Sequence, residues 1–147
     1  MSQSKTVVFA IKAVSNHIKR IFSKYPFTDN IEEITCMHYA VIHFIYNNRD
    51  KKIFQKDIES EYNIRGSTAT GILKLMEQNG FIRRIPALQD ARLKKIVLTN
   101  KALGIYCQAK STMDEINEKI LTGIPEDEVD SFFLTIEKIL HNLQEFQ

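Results

Sequence analysis

Cysteine is nearly absent from this chain. The two present among 147 residues, Cys36 and Cys107, are far apart and fit no metal-ligand spacing. Both fall in segments of helical pattern, where buried thiols are expected. No run of about 18 uncharged apolar residues exists, so no transmembrane helix is expected. The first twenty residues hold only a short apolar run, soon interrupted by His17, Lys19 and Arg20, with no small-residue cleavage site. That pattern is not a signal peptide, and a cytoplasmic location is expected. A glycine-rich phosphate cradle, a metal-ligand string and a nucleophile elbow are all missing. His17, His38, His43 and His141 stand apart from any compact carboxylate or cysteine group. The acidic group Asp57, Glu59 and Glu61 reads as a solvated helix face. An enzyme is therefore not expected, nor is a metal or cofactor.

Net charge is scarce too, at only +2. This excludes a generally sticky polycation, and it makes the placement of charge informative. Arg83, Arg84, Arg92, Lys94 and Lys95 crowd one short segment, while the final residues lean acidic. At 44% hydrophobic and 26% charged, the chain is long and apolar enough for a real core. It contains neither an internal repeat nor a low-complexity tract.

Periodicity divides the rest. Residues 5–24 place Val7, Val8, Ile11, Val14, Ile18, Ile21 and Phe22 on one helical face. Pro26 ends that helix, and Thr28, Asp29 and Asn30 make a turn. A second helix runs from about Ile34 to Asn47, with a broad apolar face that suggests a central position. Lys52, Ile53 and Phe54 form an extended link able to pair with a later hairpin. A short helix over Gln55–Glu61 turns Ile58 inward. After a turn at residues 63–66, Ser67 can cap another helix reaching about Asn79, with Ala69, Ile72, Leu73 and Met76 inward. Asn79 and Gly80 stop it. Strands follow at Phe81–Ile82 and Ile96–Leu98, joined by a charged tip. A long helix runs from about Thr99 to Leu121. A break at residues 122–125 puts Pro125 in the first turn of a last helix.

From residue 54 to residue 99 the order is helix, turn, helix, strand, charged loop, strand. This describes a winged helix-turn-helix, which reads duplex DNA. The helix beginning near Ser67 keeps Ser67, Thr68, Thr70, Gly71 and Lys74 on its outer side. Small hydroxyl residues allow close approach to a groove, and first-turn amides can receive a phosphate. Arg65 and Lys56 can add contacts to phosphate. Arg83, Arg84, Arg92, Lys94 and Lys95 furnish a basic wing suited to the negative minor groove. Asp90 can hold Arg92 in place. Taken singly, Ser67 reads as a plain cap and Lys74 as a solvated lysine. Together with the hairpin they point to DNA. The flanking helices must bury their apolar faces somewhere, and a second copy of the chain is the expected place.

The Ser67–Thr70 start, the passage Leu75–Arg84, the Asp90-Ala91-Arg92 wing and the Leu98–Lys101 boundary resemble the multiple-antibiotic-resistance regulator (MarR) family over almost the full length. The resemblance implies a mainly α fold with a small β-wing. It implies one domain over 1–147, with a winged helix-turn-helix at 33–99 and helical dimerisation regions at 1–32 and 100–147. It also implies a homodimer on a pseudo-palindromic site in double-stranded DNA. Such a dimer is often a repressor, released by a small aromatic or phenolic effector. By position in such a fold, Ile11, His17, Met37, His38, Tyr39 and Phe44 approach the ligand cleft. Two departures stand out. Ala102 replaces a common glycine, and Gly71 replaces a larger polar residue on the recognition helix. A ligand-binding or protein-interaction module without DNA binding is the alternative reading.

Overall fold

A computed structural model describes residues 6–24 and 35–146. The expected turn at Pro26 and Thr28–Asn30, and the expected helix start at Ile34, lie outside the described residues. The chain forms two compact units, Met1–Lys110 and Ser111–Gln147. Six helices and one two-stranded antiparallel sheet make up the described residues, so the fold is mainly α with a small β-wing.

Helix α1 (Val7–Lys24) carries the expected apolar stripe but buries none of it. Val7, Val8, Ile11 and Val14 are exposed, and Phe9 adds a further exposed ring. Ile18, Ile21 and Phe22 are half-buried. Helix α2 (Cys36–Asn47) is central, as its broad apolar face requires: Val41 and Ile42 are fully buried, with Tyr39 and Ile45 nearly so. Thr35 caps it. The Thr35 hydroxyl accepts the His38 N–H at 3.2 Å, and the Thr35 N–H is donated to His38 Nδ1 at 3.3 Å. Histidine thus takes the place that Glu or Gln usually fills in a capping box.

Helix α3 (Gln55–Tyr62) is anchored at both ends. The Phe54 N–H reaches Asp57 Oδ2 at 2.7 Å, and Asn63 closes the helix at φ 47°. Ile58 is fully buried, as its spacing predicts. Tyr62 donates its hydroxyl to Ala40 O on α2 at 2.6 Å. Helix α4 (Gly66–Gln78) buries Ala69, Leu73 and Met76, with Ile72 half-buried. Its cap falls two residues earlier than the sequence suggests. Arg65, not Ser67, is the N-cap residue, and no side chain caps the turn. Gly66 lies where a Cβ would approach Glu59 Oε1 at 3.3 Å, so the α3–α4 crossing is close there.

The end of α4 is tied down by the next boundary. Gly80 takes φ 75°, a left-handed conformation glycine adopts at little cost. Lys101 Nζ donates to Asn79 O at 2.8 Å and lies 4.9 Å over the Phe81 ring. Thr99 donates its hydroxyl to Gly80 O and accepts the Ala102 N–H. The Leu-Thr-Asn-Lys boundary therefore closes one helix and opens the next. Strands β1 (Ile82–Pro86) and β2 (Lys94–Leu98) pair with Ile82 opposite Leu98 and Pro86 opposite Lys94. Pro86, expected in the tip, ends a strand instead. The expected extended link does pair: Ile96 N–H bonds Ile53 O at 2.8 Å.

Helix α5 (Asn100–Ile120) crosses the boundary between the two units. Within the first unit it buries Ala102, Ile105, Tyr106 and Ala109. Ala102 is simply a fully buried helical residue, so the missing glycine costs nothing visible. Within the second unit Ile116 is buried and Ile120 is exposed. Gly123 turns the chain at φ 77°. Helix α6 (Glu126–Gln144) then starts just after Pro125, which is its N-cap residue and not part of its first turn as expected. Glu126, Asp127 and Glu128 occupy the first turn, where negative charge is favoured. No residue of α6 is buried. No helix among the described residues is long and apolar enough to cross a membrane.

Candidate nucleic-acid interface

The outer face of α4 is open. Ser67, Thr68, Thr70, Gly71 and Lys74 are all exposed, and nothing would meet a Cβ on Gly71 within 4 Å. Arg65 is exposed just ahead of the helix. Sequence reasoning missed Gln55, whose side-chain amide reaches three partners. It donates to Thr70 Oγ1 at 2.9 Å, Glu59 Oε1 at 3.0 Å and Gly66 O at 3.3 Å. This clamps α3 to α4 and sets the pitch of the outer face. The Thr70 oxygen accepts from Gln55, which leaves its own proton free to donate outward. The acidic group on α3 is not merely solvated. Asp57 and Glu59 hold backbone and side-chain partners, and Glu61 alone is left exposed without one among the described residues.

Strand alternation separates the five basic residues of the wing. Successive side chains point to opposite faces, so Arg83 and Arg84 cannot share a direction. Arg83 is exposed. Arg84 falls on the face of Ile82 and Ile96, only 21% exposed, with Nε 3.5 Å from Glu77 Oε2. It braces the wing against α4, a pair worth about 1 kcal/mol or less at this exposure. Across the sheet, Lys94 is exposed while Lys95 is half-buried opposite Ile85. The two lysines diverge for the same reason. Exposed Lys56 meets Arg84, Arg92 and Lys94 around an open cleft of about 540 Å³ between α3 and the wing.

The tip is a defined turn. Asp90 Oδ1 accepts the Arg92 backbone N–H at 2.9 Å and Arg92 Nε at 3.3 Å. The Ala87 N–H closes onto Leu93 O at 2.8 Å. Arg92 is left with its side chain 92% exposed, projecting from a fixed base. Asp90 positions it and itself offers phosphate only like charge.

This is the geometry a wing and recognition helix need. Residues 33–93 match the model of the MarR family. A MarR transcription regulator from Oenococcus oeni PSU-1 is 29% identical, covering 95% of this chain and 99% of its own, at a TM-score of 0.76. Over residues 33–93 this chain is similar to the MarR family, and over nearly its whole length to a MarR regulator. Two more distant structures share the fold. MepR of S. aureus, solved as a DNA complex, is 22% identical at TM-score 0.80, covering 97% of this chain and 99% of its own. PcaV of Streptomyces coelicolor, solved with its natural ligand, is 16% identical at TM-score 0.81, covering 96% of each chain. The family's members are DNA-binding transcription regulators and are in general not enzymes. Among the described residues no group of three His, Cys, Asp or Glu is placed to hold a metal.

None of the six residues expected near an effector lines the cleft between α3 and the wing. Ile11 and His17 are exposed on α1, where the His17 Nδ1 bonds Arg20 at 3.0 Å. His38 is buried and committed to its cap. Tyr39 is buried, stacked at 6.0 Å on Tyr106 and at 6.1 Å on His43. Met37 is half-buried, and Phe44 meets Tyr62 edge-on at 6.3 Å. The sequence did carry a signal for this aromatic cluster: Tyr39, His43 and Tyr46 recur at helical spacing. Tyr46 lies 4.2 Å from Tyr106 between ring centres.

The cysteines differ. Cys36 is half-buried, and burial pushes its thiol above the usual value, toward the less reactive neutral form. Cys107, expected to be buried, is exposed because its place on α5 lies beside Tyr106 and off the buried stripe.

Proposed function

We propose that the chain acts as a homodimeric repressor. It reads a pseudo-palindromic operator in double-stranded DNA and is released by a small aromatic or phenolic effector. Region 33–99 reads DNA, and regions 1–32 and 100–147 hold the two copies together. In this reading Lys56, Arg65, Ser67, Thr68, Thr70, Lys74, Arg83, Arg92 and Lys94 contact the duplex, whereas Lys95, on the opposite strand face from Lys94, does not. Arg84 and Asp90 position the groups that do. The single observation that carries the DNA contacts is the exposed Arg92 on its Asp90-pinned turn, beside an unobstructed face of α4.

The dimer rests on a different observation. Phe132, Phe133, Leu134, Leu140 and Leu143 of α6 are exposed, as are Val7, Val8, Phe9 and Val14 of α1. Apolar faces this extended call for a partner surface. Two linked recognition helices reach successive major grooves when about 34–36 Å apart. An effector that favours another spacing by about 1–3 kcal/mol changes occupancy from several-fold to a hundredfold. PcaV, with its natural ligand, supports a ligand-responsive reading.

The test is selection of random duplexes by the purified protein, then binding of the enriched duplex at two salt concentrations. Recovery of two inverted half-sites, with affinity falling steeply as salt rises, supports the reading. A folded dimer that enriches no sequence refutes it and leaves a ligand-binding or protein-interaction module.

A further inference from the structure

Where β2 runs beside the end of α2 and the first turn of α5, a second cleft of about 240 Å³ opens. Its apolar lining includes Ile45, Ile53, Val97 and Leu103. Three cations also line it, Arg49, Lys51 and Lys95, and no acidic residue does. None of the three meets a carboxylate within ion-pair distance among the described residues, although Asp50 lies between two of them in sequence. Arg49 is held rather than loose. Its guanidinium sits 4.7 Å over the Tyr46 ring, and Nη1 donates to Tyr46 O at 3.0 Å. Lys51 Nζ donates to Asn48 Oδ1 at 3.2 Å. The Lys95 side chain has no hydrogen-bond or ion-pair partner among the described residues.

Two features together define the occupant. Cations gathered without a counter-charge favour an anion. An apolar lining is of no use to a phosphodiester backbone, which is polar along its length, but it suits a molecule with an apolar body. The volume is below the roughly 300 Å³ at which clefts enclose drug-sized ligands, so the body is small. We propose that this cleft binds a small amphipathic carboxylate, a one- or two-ring acid or a medium-chain fatty acid. Its apolar body lies against Ile53, Val97 and Leu103, and its carboxylate faces Arg49 and Lys95. The site is distinct from the six residues expected at the effector cleft. It does not depend on the DNA reading, because ligand binding can be measured without DNA.

The experiment is calorimetric titration of the full chain with 2-naphthoate and with octanoate, and with uncharged 2-naphthamide as the isosteric control. Saturable binding of an acid at one per chain is expected. Binding of the amide should be weaker by about tenfold or more, the loss of a hydrogen bond to a charged group. Arg49→Gln and Lys95→Gln should each weaken the acid by about tenfold while keeping the wild-type melting transition. Methyl resonances of Ile53, Val97 and Leu103 should shift on addition of the acid. Absence of saturable binding by either acid overturns the proposal. Equal binding of acid and amide overturns its anionic half. Binding that both variants leave intact, or that moves none of those methyls, places the ligand elsewhere and overturns it as well.

Discussion

Helices α2 and α6 are both rich in apolar residues, yet they end in opposite situations. Five residues of α2 are buried and none of α6 is. Apolar content therefore says that a helix wants cover; it does not say what covers it. In α2 the cover is intramolecular, and its second polar tie is Tyr62 bonding Ala40 O. In α6 three aromatic or aliphatic side chains in succession, Phe132 to Leu134, remain open to solvent. The same contrast recurs between neighbouring residues: Arg84 is turned inward and Arg83 outward.

The widest gap in that comparison is testable at Phe133. If a second copy covers α6, Phe133→Asp should dissociate the dimer in sedimentation. Loss of the linked second module should then weaken operator binding by about 10²–10⁴-fold. An unchanged sedimentation coefficient would mean α6 is truly uncovered. Ile42→Ala attacks the covered helix. Fully buried, Ile42 should cost about 2–5 kcal/mol in denaturant unfolding. A cost below that of a surface change would show the α2 core to be loose.

At single-residue scale, Arg92→Ala should weaken DNA binding by about 1–3 kcal/mol and lower the salt slope by about one, with stability unchanged. Arg84→Ala should do the reverse, shifting stability by about 1 kcal/mol or less and leaving the salt slope nearly alone. Equal effects of the two on DNA affinity would undo the inward and outward assignment.

Tyr62 gives a pH test of the tie to α2. Burial, followed by the nearby charges of Glu61 and Cys36, pushes its hydroxyl up to about 12. A raised value means the neutral form is favoured in the fold. Its stabilisation is complete below pH 10 and is lost as pH rises toward 12. The Tyr62→Phe variant should lose this segment of the pH profile in unfolding experiments, and an identical profile would remove the tie. The smallest effect is expected at Gly71. With open space around it, Gly71→Ala should stabilise by up to about 1 kcal/mol through helix propensity alone. Destabilisation would mean that its outer face is covered after all.

The order and type of the described elements were legible because their signals are local. Helical spacing found α1 to α6, and Gly80 and Gly123 marked two of the turns with positive φ. The Ile53 link was legible as well, since a short extended run beside a hairpin has few other partners. The cap of α4 was not. Ser67 is a favoured capping type, but the cap falls two residues earlier, at Arg65, with no side chain capping the turn. Nor was the Gln55 clamp, because nothing in its neighbourhood in sequence points to a threonine fifteen residues on.

The sequence by itself determined which segments are helix and strand, and that a basic hairpin follows an exposed hydroxyl-rich helix. Those properties depend on residues within one or two turns of each other. Only the tertiary structure decided which basic residues of the hairpin face outward, since strand register fixes that, and register is set by pairing across the wing tip. It also brought Lys95 to the same cleft as Arg49, although 46 positions separate them in the sequence. Charge at such a distance along the chain becomes a site only when packing of β2 beside α2 puts it there.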